Sequence, residues 1–214
     1  MQNVENVIIS CAGLGSRLKM NMPKCLIKIG NKTIIEMQLE LLKNVPNIRI
    51  VVGFKETEVI DFIKKIRNDV IFVRNPDYAT TSNSYSIYLA TKDLKAPYVI
   101  IDGDLIIKKD SFDNFLSKCK NKNLVGFTKA KTEDAVFVKI DENNTIQWFS
   151  RELKTEYEWC SIAYLYNIKI SNNQDYVFKE LEKKLPLEGI EMDCFEIDTP
   201  TDYMLAVKNI STLI

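Results

Sequence analysis

Four apolar runs, each separated from the next by a helical pattern, restrict the fold of this chain more than any other feature. Val7-Ile8-Ile9-Ser10-Cys11, Ile48-Arg49-Ile50-Val51-Val52, Val70-Ile71-Phe72-Val73 and Tyr98-Val99-Ile100-Ile101 have the length and β-branched content of buried strands. Between the first two, Ile34 to Lys43 carries apolar residues at helical spacing. Thr33 with Glu36 three positions on forms a capping-box pattern at its start, and Pro46 ends the unit. Val59, Ile60, Phe62, Ile63 and Ile66 mark one face of a second helix, and a short helix is expected around Tyr85 to Thr91. Strands alternating with helices mean βαβ units and a largely parallel sheet. After Asp110 the pattern changes. A helix through Phe112, Phe115 and Leu116 leads to a strand at 124–127. Two strands, 135–140 and 145–149, then flank the turn Asp141-Glu142-Asn143-Asn144, and a further strand covers 161–166. A helix over 172–184, a strand at 194–198, and a closing helix opened by Thr199-Pro200 complete the chain. The second half is therefore expected to add antiparallel strands to one α/β domain.

The first strand runs into Ala12-Gly13-Leu14-Gly15-Ser16-Arg17, with Pro23-Lys24 a short spacer later. Two glycines let backbone N–H groups approach a ligand closely, and two basic residues offer charge to the same oxygens, so this loop is built for polyanionic phosphate. It is not a dinucleotide fingerprint, because Leu18 stands where the third glycine is required and no acidic residue ends the second strand. Nor is it a P-loop, since no Gly-Lys-Ser/Thr follows.

The chain of 214 residues contains no histidine. That excludes Ser-His-Asp and Cys-His catalysis and most zinc sites, and leaves carboxylates, lysine, arginine and a hard metal. The 29 basic and 29 acidic residues cancel, so no nucleic acid or anionic membrane is expected as a partner. No apolar stretch approaches the ~20 residues of a membrane span. Cys11, Cys25, Cys119, Cys160 and Cys194 are odd in number and scattered, and the N-terminus lacks a basic signal-peptide region. A cytoplasmic location is expected.

Four stretches give the chain a resemblance to the nucleotidyltransferase superfamily that activates sugars and alcohols, and within it to bacterial phosphocholine cytidylyltransferases. They are Gly13-Leu14-Gly15-Ser16-Arg17-Leu18 with Pro23-Lys24; 82–89, beginning Ser82-Asn83-Ser84-Tyr85; Ile101-Asp102-Gly103-Asp104; and Glu196-Ile197-Asp198-Thr199-Pro200-Thr201-Asp202-Tyr203. The resemblance implies a Rossmann-like three-layer α/β/α fold with a mixed, mostly parallel sheet. It also implies a single domain over 1–214, with a nucleotide-binding part at about 1–126 and an acceptor side at about 127–214. The implied reaction is transfer of CMP from CTP, or of another nucleotidyl group, to a small phosphorylated acceptor by a monomer or homodimer. Mg²⁺ would be held by Asp104 and Asp198, with Lys24 on the reacting phosphates and Arg17 on the departing pyrophosphate. Ala12, Gly13, Leu14, Gly15 and Ser16 would hold the triphosphate. Ser82, Asn83 and Ser86 would face the base, with Asp102 close behind the metal.

Each assignment has a plainer competitor. Asp104 and Asp198 also fit solvated strand ends or helix caps, and Ser82 or Asn83 also fits a cap for the helix that follows. Tyr157, Glu158, Trp159 and Tyr164 combine aromatic faces with a carboxylate, as a quaternary-ammonium cage does, but core packing or a dimer interface explains them equally. The rivals to nucleotidyl transfer from CTP are a sugar-1-phosphate enzyme using UTP or dTTP, and a glycosyltransferase using Asp102-Gly103-Asp104 as a D-x-D motif.

Overall fold

The computed structural model describes residues 4–131 and 135–213. In chain order the elements are β1 (Asn6–Cys11), β2 (Lys28–Ile29), β3 (Lys32–Thr33), α1 (Ile34–Leu41), β4 (Asn47–Val52), α2 (Glu56–Lys64), β5 (Ile71–Arg74), α3 (Asn83–Thr91), β6 (Tyr98–Asp102), β7 (Leu105–Ile107) and α4 (Lys109–Lys118). They continue with β8 (Leu124–Lys129), β9 (Phe137–Ile140), β10 (Thr145–Ser150), β11 (Tyr157–Leu165), α5 (Val177–Glu182), β12 (Leu187–Glu191), β13 (Cys194–Glu196) and α6 (Pro200–Leu213).

The main sheet runs β5-β4-β1-β6-β11-β8-β12-β10-β9. Its first four strands are parallel, as the alternating pattern requires. β11 then runs antiparallel to both β6 and β8, and β12 returns parallel to β8. β9 and β10 form the expected hairpin, and β9 also pairs with the start of β11, so the far end of the sheet closes on itself. Closure removes an exposed strand edge.

Helices cover both faces. Strand alternation sends Ile9 and Cys11 of β1 toward Ile35, Leu39, Val59, Phe112 and Phe115, and sends Ile8 toward Ile87, Ala90 and Val177. Val7, Ile8 and Ile9 are wholly buried, as a strand covered on both faces must be. A third cluster, built on Leu18, Ile27, Ile34, Ile106, Ile197 and Ala206, seats α6 beside the glycine loop.

The structure differs from the sequence reading in several elements: β11 begins at Tyr157 rather than 161, β13 ends at Glu196 rather than 198, and the short strands β2, β3 and β7 were not expected. Helix α5 begins at Val177 rather than 172, because Asn173 spends its carboxamide on Ser171 and Glu180 and the chain turns there first. Strand β12 was not anticipated. Its Leu-Glu-Gly-Ile-Glu sequence carries a glycine and two charges, and its place is fixed by pairing with β8 and β10.

Candidate active site

Strand β1 has β4 on one side and β6 on the other, so the loops that leave the carboxyl ends of β1 and β6 part and open a crevice. A cleft of about 880 Å³ lies there. Its floor depends on a close crossing. A Cβ on Gly103 would lie 2.6 Å from the Cys11 sulfur and 2.8 Å from the Ser10 carbonyl oxygen, so only glycine lets the end of β6 pass over β1. Gln38, buried in α1, donates its amide to the Asp102 and Leu105 carbonyls at 2.9 and 2.8 Å and so fixes the turn that carries Asp104. Asp198 comes from the opposite direction, between β13 and α6. There Thr199 caps α6, accepting from Asp202 N–H, while the Asp202 carboxylate accepts the N–H groups of Asp198 and Thr199.

These turns bring Asp104, Glu196 and Asp198 together, with one carboxylate oxygen from each within 4.8 Å of the others. The Lys24 ammonium donates to Asp104 Oδ2 at 2.5 Å and to Asp198 Oδ1, and Arg17 donates to Asp198 Oδ2 at 2.6 Å. Lys24 is held well above the usual lysine range. Burial works against its charge, and the charges of Asp104 and Asp198 outweigh burial. Burial, reinforced by the charges of Asp104 and Asp198, pushes Glu196 far above the usual carboxylate range. Burial and the charge of Asp104 likewise push Asp102 up to about 7. Asp104 Oδ1 is buried and accepts no hydrogen bond among the described residues. A crowded set of hard oxygen donors with one orphaned oxygen fits a divalent cation such as Mg²⁺.

Gly15 adopts φ +60, and a Cβ there would come within 2.9 Å of Lys24 Cγ. The glycine loop therefore packs directly on the lysine stem. On the opposite wall, buried Asn75 donates its amide to Thr81 Oγ1 at 3.0 Å and Ser86 Oγ at 2.9 Å, and accepts from the Asp77 N–H at 3.0 Å.

Residues 7–160 match the model of the MobA-like NTP transferase domain. The chain belongs to this family. It is 40% identical to choline-phosphate cytidylyltransferase of Streptococcus pneumoniae over 116 residues, 52% of this chain and 49% of that protein. It is 26% identical over 198 residues to the bifunctional protein GlmU of Methanococcus aeolicus, 88% of this chain and 44% of that protein. The chain thus spans about half the length of these curated relatives or less. Among solved structures, the CTP:phosphocholine cytidylyltransferase from Streptococcus pneumoniae superposes with a TM-score of 0.80 at 24% identity, over 97% of this chain and all of that one. The inositol-1-phosphate CTP transferase from T. maritima gives 0.78 at 17% identity, over 97% and 98%. These two establish the NTP transferase fold.

Within the NTP transferase domain, Ala12, Gly13, Leu14, Gly15, Ser16, Arg17 and Lys24 all line the cleft. So do Ser82, Asn83, Ser86, Asp102, Asp104 and Asp198. Ser82 makes no side-chain cap bond to α3. Instead it donates to the Asp175 carbonyl, and Asn83 Oδ1 accepts the Val177 N–H at 3.3 Å. The four residues weighed as an aromatic cage do not all reach the cleft. Trp159 and Glu158 line it, but Tyr157 and Trp159 pack with the core cluster on one face of the sheet and Tyr164 with the cluster on the other. Tyr157 packs edge-on to Phe127, and Tyr164 is 4% exposed in the core.

Sequence reasoning missed Glu196, although its position two before Asp198 was a signal, since strand residues i and i+2 share a face. It also missed Lys131, Arg151, Tyr176 and Phe178, which line the cleft from distant segments and carry no motif.

Proposed function

We propose that this domain transfers CMP from CTP to a small phosphorylated acceptor, either phosphocholine or a related alcohol phosphate, sugar phosphate or phosphonate, and releases pyrophosphate. The observation that carries the reading is the Lys24 ammonium, held between Asp104 and Asp198 beneath the glycine loop, with Arg17 on the same Asp198. A dehydrogenase or a glycosyltransferase has no use for that pair of cations beside a phosphate loop. The 40% identity to a choline-phosphate cytidylyltransferase over half the chain supports cytidine as the base. The division into a nucleotide side at about 1–126 and an acceptor side at about 127–214 is part of the same proposal.

An acceptor phosphate monoester has a second pKa of about 6 and is already anionic near neutral pH. It needs no general base to attack the α-phosphorus of the nucleotide, so a site without histidine suffices. An acceptor oxygen forms a bond to the α-phosphorus, and the bond from that phosphorus to the β-phosphate bridging oxygen breaks. The main obstacle is bringing two polyanions together in line. In this reading the backbone N–H groups of 12–17 cradle the triphosphate. Lys24 leaves its carboxylate partners to meet charge developing on the α-phosphate, and Arg17 follows the departing pyrophosphate. Asp104, Glu196 and Asp198 would hold Mg²⁺, which supplies positive charge against the phosphate oxygens when bound.

The test is pyrophosphate release with each of CTP, UTP, dTTP, ATP and GTP against a panel of phosphorylated acceptors in Mg²⁺. CTP is expected to lead. Absence of release with every pair would remove the transferase reading, and preference for UTP or dTTP would remove the cytidine assignment.

A further inference from the structure

Opposite the metal-binding carboxylates, the cleft wall carries a guanidinium with no assigned task. Arg151, at the end of β10, lies over the ring of Tyr176 with its central carbon 4.5 Å from the centroid, and 5.6 Å from that of Phe178. The two rings stack on each other at 5.9 Å. Among the described residues the Arg151 side chain makes no hydrogen bond or ion pair, and as an exposed residue at the rim of the cleft it keeps its N–H donors open to the cleft and to solvent. The other cations lining the cleft are committed. Lys24 and Arg17 hold carboxylates, and Lys131 donates to the Cys194 carbonyl and Thr128 Oγ1 while its ammonium lies 4.4 Å above the Phe195 ring. The platform under Arg151 is itself anchored. Ser82 donates to the Asp175 carbonyl, Ser84 donates to Asn173 at 3.1 Å, and the Val177 N–H reaches Asn83.

A planar guanidinium fixed on aromatic faces, with its donors uncommitted and opening on a cleft, matches the geometry of an oxyanion. The same placement disfavours a quaternary ammonium on this wall, because the faces of Tyr176 and Phe178 already carry protein cations. We propose that Arg151 is a specificity-determining residue that binds an oxyanion of the acceptor. This rests on the transferase reading for the word acceptor, but the contact itself is a property of the apo cleft. The oxyanion is either the phosphate that attacks or a second anionic group at the far end of the molecule, and experiment separates the two.

Calorimetric titration of the full chain with inorganic phosphate, phosphocholine and 3-phosphoglycerate, without nucleotide, tests the assignment. Arg151→Met is expected to weaken binding at least tenfold, and Arg151→Lys, which keeps the charge but not the fork, by less. Equal weakening for all three probes identifies the attacking phosphate as the bound group. Weakening confined to 3-phosphoglycerate identifies a second anionic group. Dissociation constants within twofold of wild type for every probe would overturn the proposal, as would a wild-type protein that binds none of them at millimolar concentration. Binding is read without turnover, so a protein that binds through Arg151 yet releases no pyrophosphate would sink the transferase reading and leave this contact standing.

Discussion

Replacing Lys24 with methionine keeps most of the length of the side chain and removes the cation that, among the described residues, touches both Asp104 and Asp198. The side chains involved are only 18%, 12% and 17% exposed, so water does little to screen the loss. Breaking a buried pair from one side costs about 3–5 kcal/mol. The lower end applies here, because Arg17 still pairs with Asp198 and one carboxylate of the cluster can take up a proton. For a domain of this size, about 3 kcal/mol corresponds to a fall in Tm of roughly 6–12 °C. Catalysis should suffer separately. Removing one preorganised donor to transition-state charge costs about 10²–10³ in rate. Mg²⁺ separates the two effects, since a divalent ion relieves the crowding of Asp104, Glu196 and Asp198 without replacing the ammonium. Thermal unfolding with and without Mg²⁺ should show the ion stabilising Lys24→Met more than wild type. Pyrophosphate release by the variant should stay low at any Mg²⁺ concentration. Turnover within threefold of wild type would refute the role given to Lys24. An unchanged Tm in Mg²⁺-free buffer would refute the electrostatic account of the cluster.

Gly15→Ala forces a side chain into a left-handed backbone at a strain of about 1–2 kcal/mol and presses on the stem of Lys24, so kcat/KM should fall at least tenfold while Tm drops by a few degrees. Asn75→Ala leaves the Ser86 hydroxyl and the Asp77 N–H without their partner, while the Thr81 hydroxyl keeps its bond to the Asp77 carbonyl, at a cost of about 1–3 kcal/mol. Steady-state kinetics should show the nucleotide KM rising severalfold and the acceptor KM holding. Burial of Glu180 opposes its charge, but hydrogen bonds from Ser171, Lys183 and Asn173 prevail and hold its pKa below the usual glutamate range. A depressed folded pKa contributes stability above the unfolded value and loses it as pH falls through the folded one. The Tm gap between wild type and Glu180→Gln should therefore be widest near neutral pH and close as the pH falls below the usual glutamate range. A gap that persists there would contradict the assignment.

Local chemistry made much of this legible beforehand. The Thr33–Glu36 capping box closes as written, with Thr33 N–H donating to Glu36 at 2.6 Å, because both partners lie within one turn of chain. The apolar runs of β1, β4 and β6 are strands buried on both faces, and their composition says so. Asp104 and Asp198 could be singled out because the motifs that carry them resemble those of the nucleotidyltransferase superfamily. What was not legible depends on distant pairing. Nothing near Arg151 in sequence reveals that β10 will lay it on Tyr176, and β12 is a strand only because β8 and β10 flank it. The aromatic residues of β11 stayed open between cage and core for a different reason. Residue type allows either, and only the packing shows Tyr164 buried in the core while Glu158 and Trp159 line the cleft.

The bonds between the start of α3 and the segment 173–177 join two pieces of chain about ninety residues apart in sequence. In the proposed reading one piece lines the nucleotide wall of the cleft and the other carries the rings on the acceptor wall. Ser84 to Asn173 joins two side chains, while Ser82 and Asn83 reach the main chain at 175 and 177, so the bonds constrain the path of the second piece and one of its side chains. A chimera that imports a foreign segment 171–178 to change the acceptor must keep that path, with a hydrogen-bond acceptor for Ser84 at 173. An imported wall of a different course would arrive without its anchor.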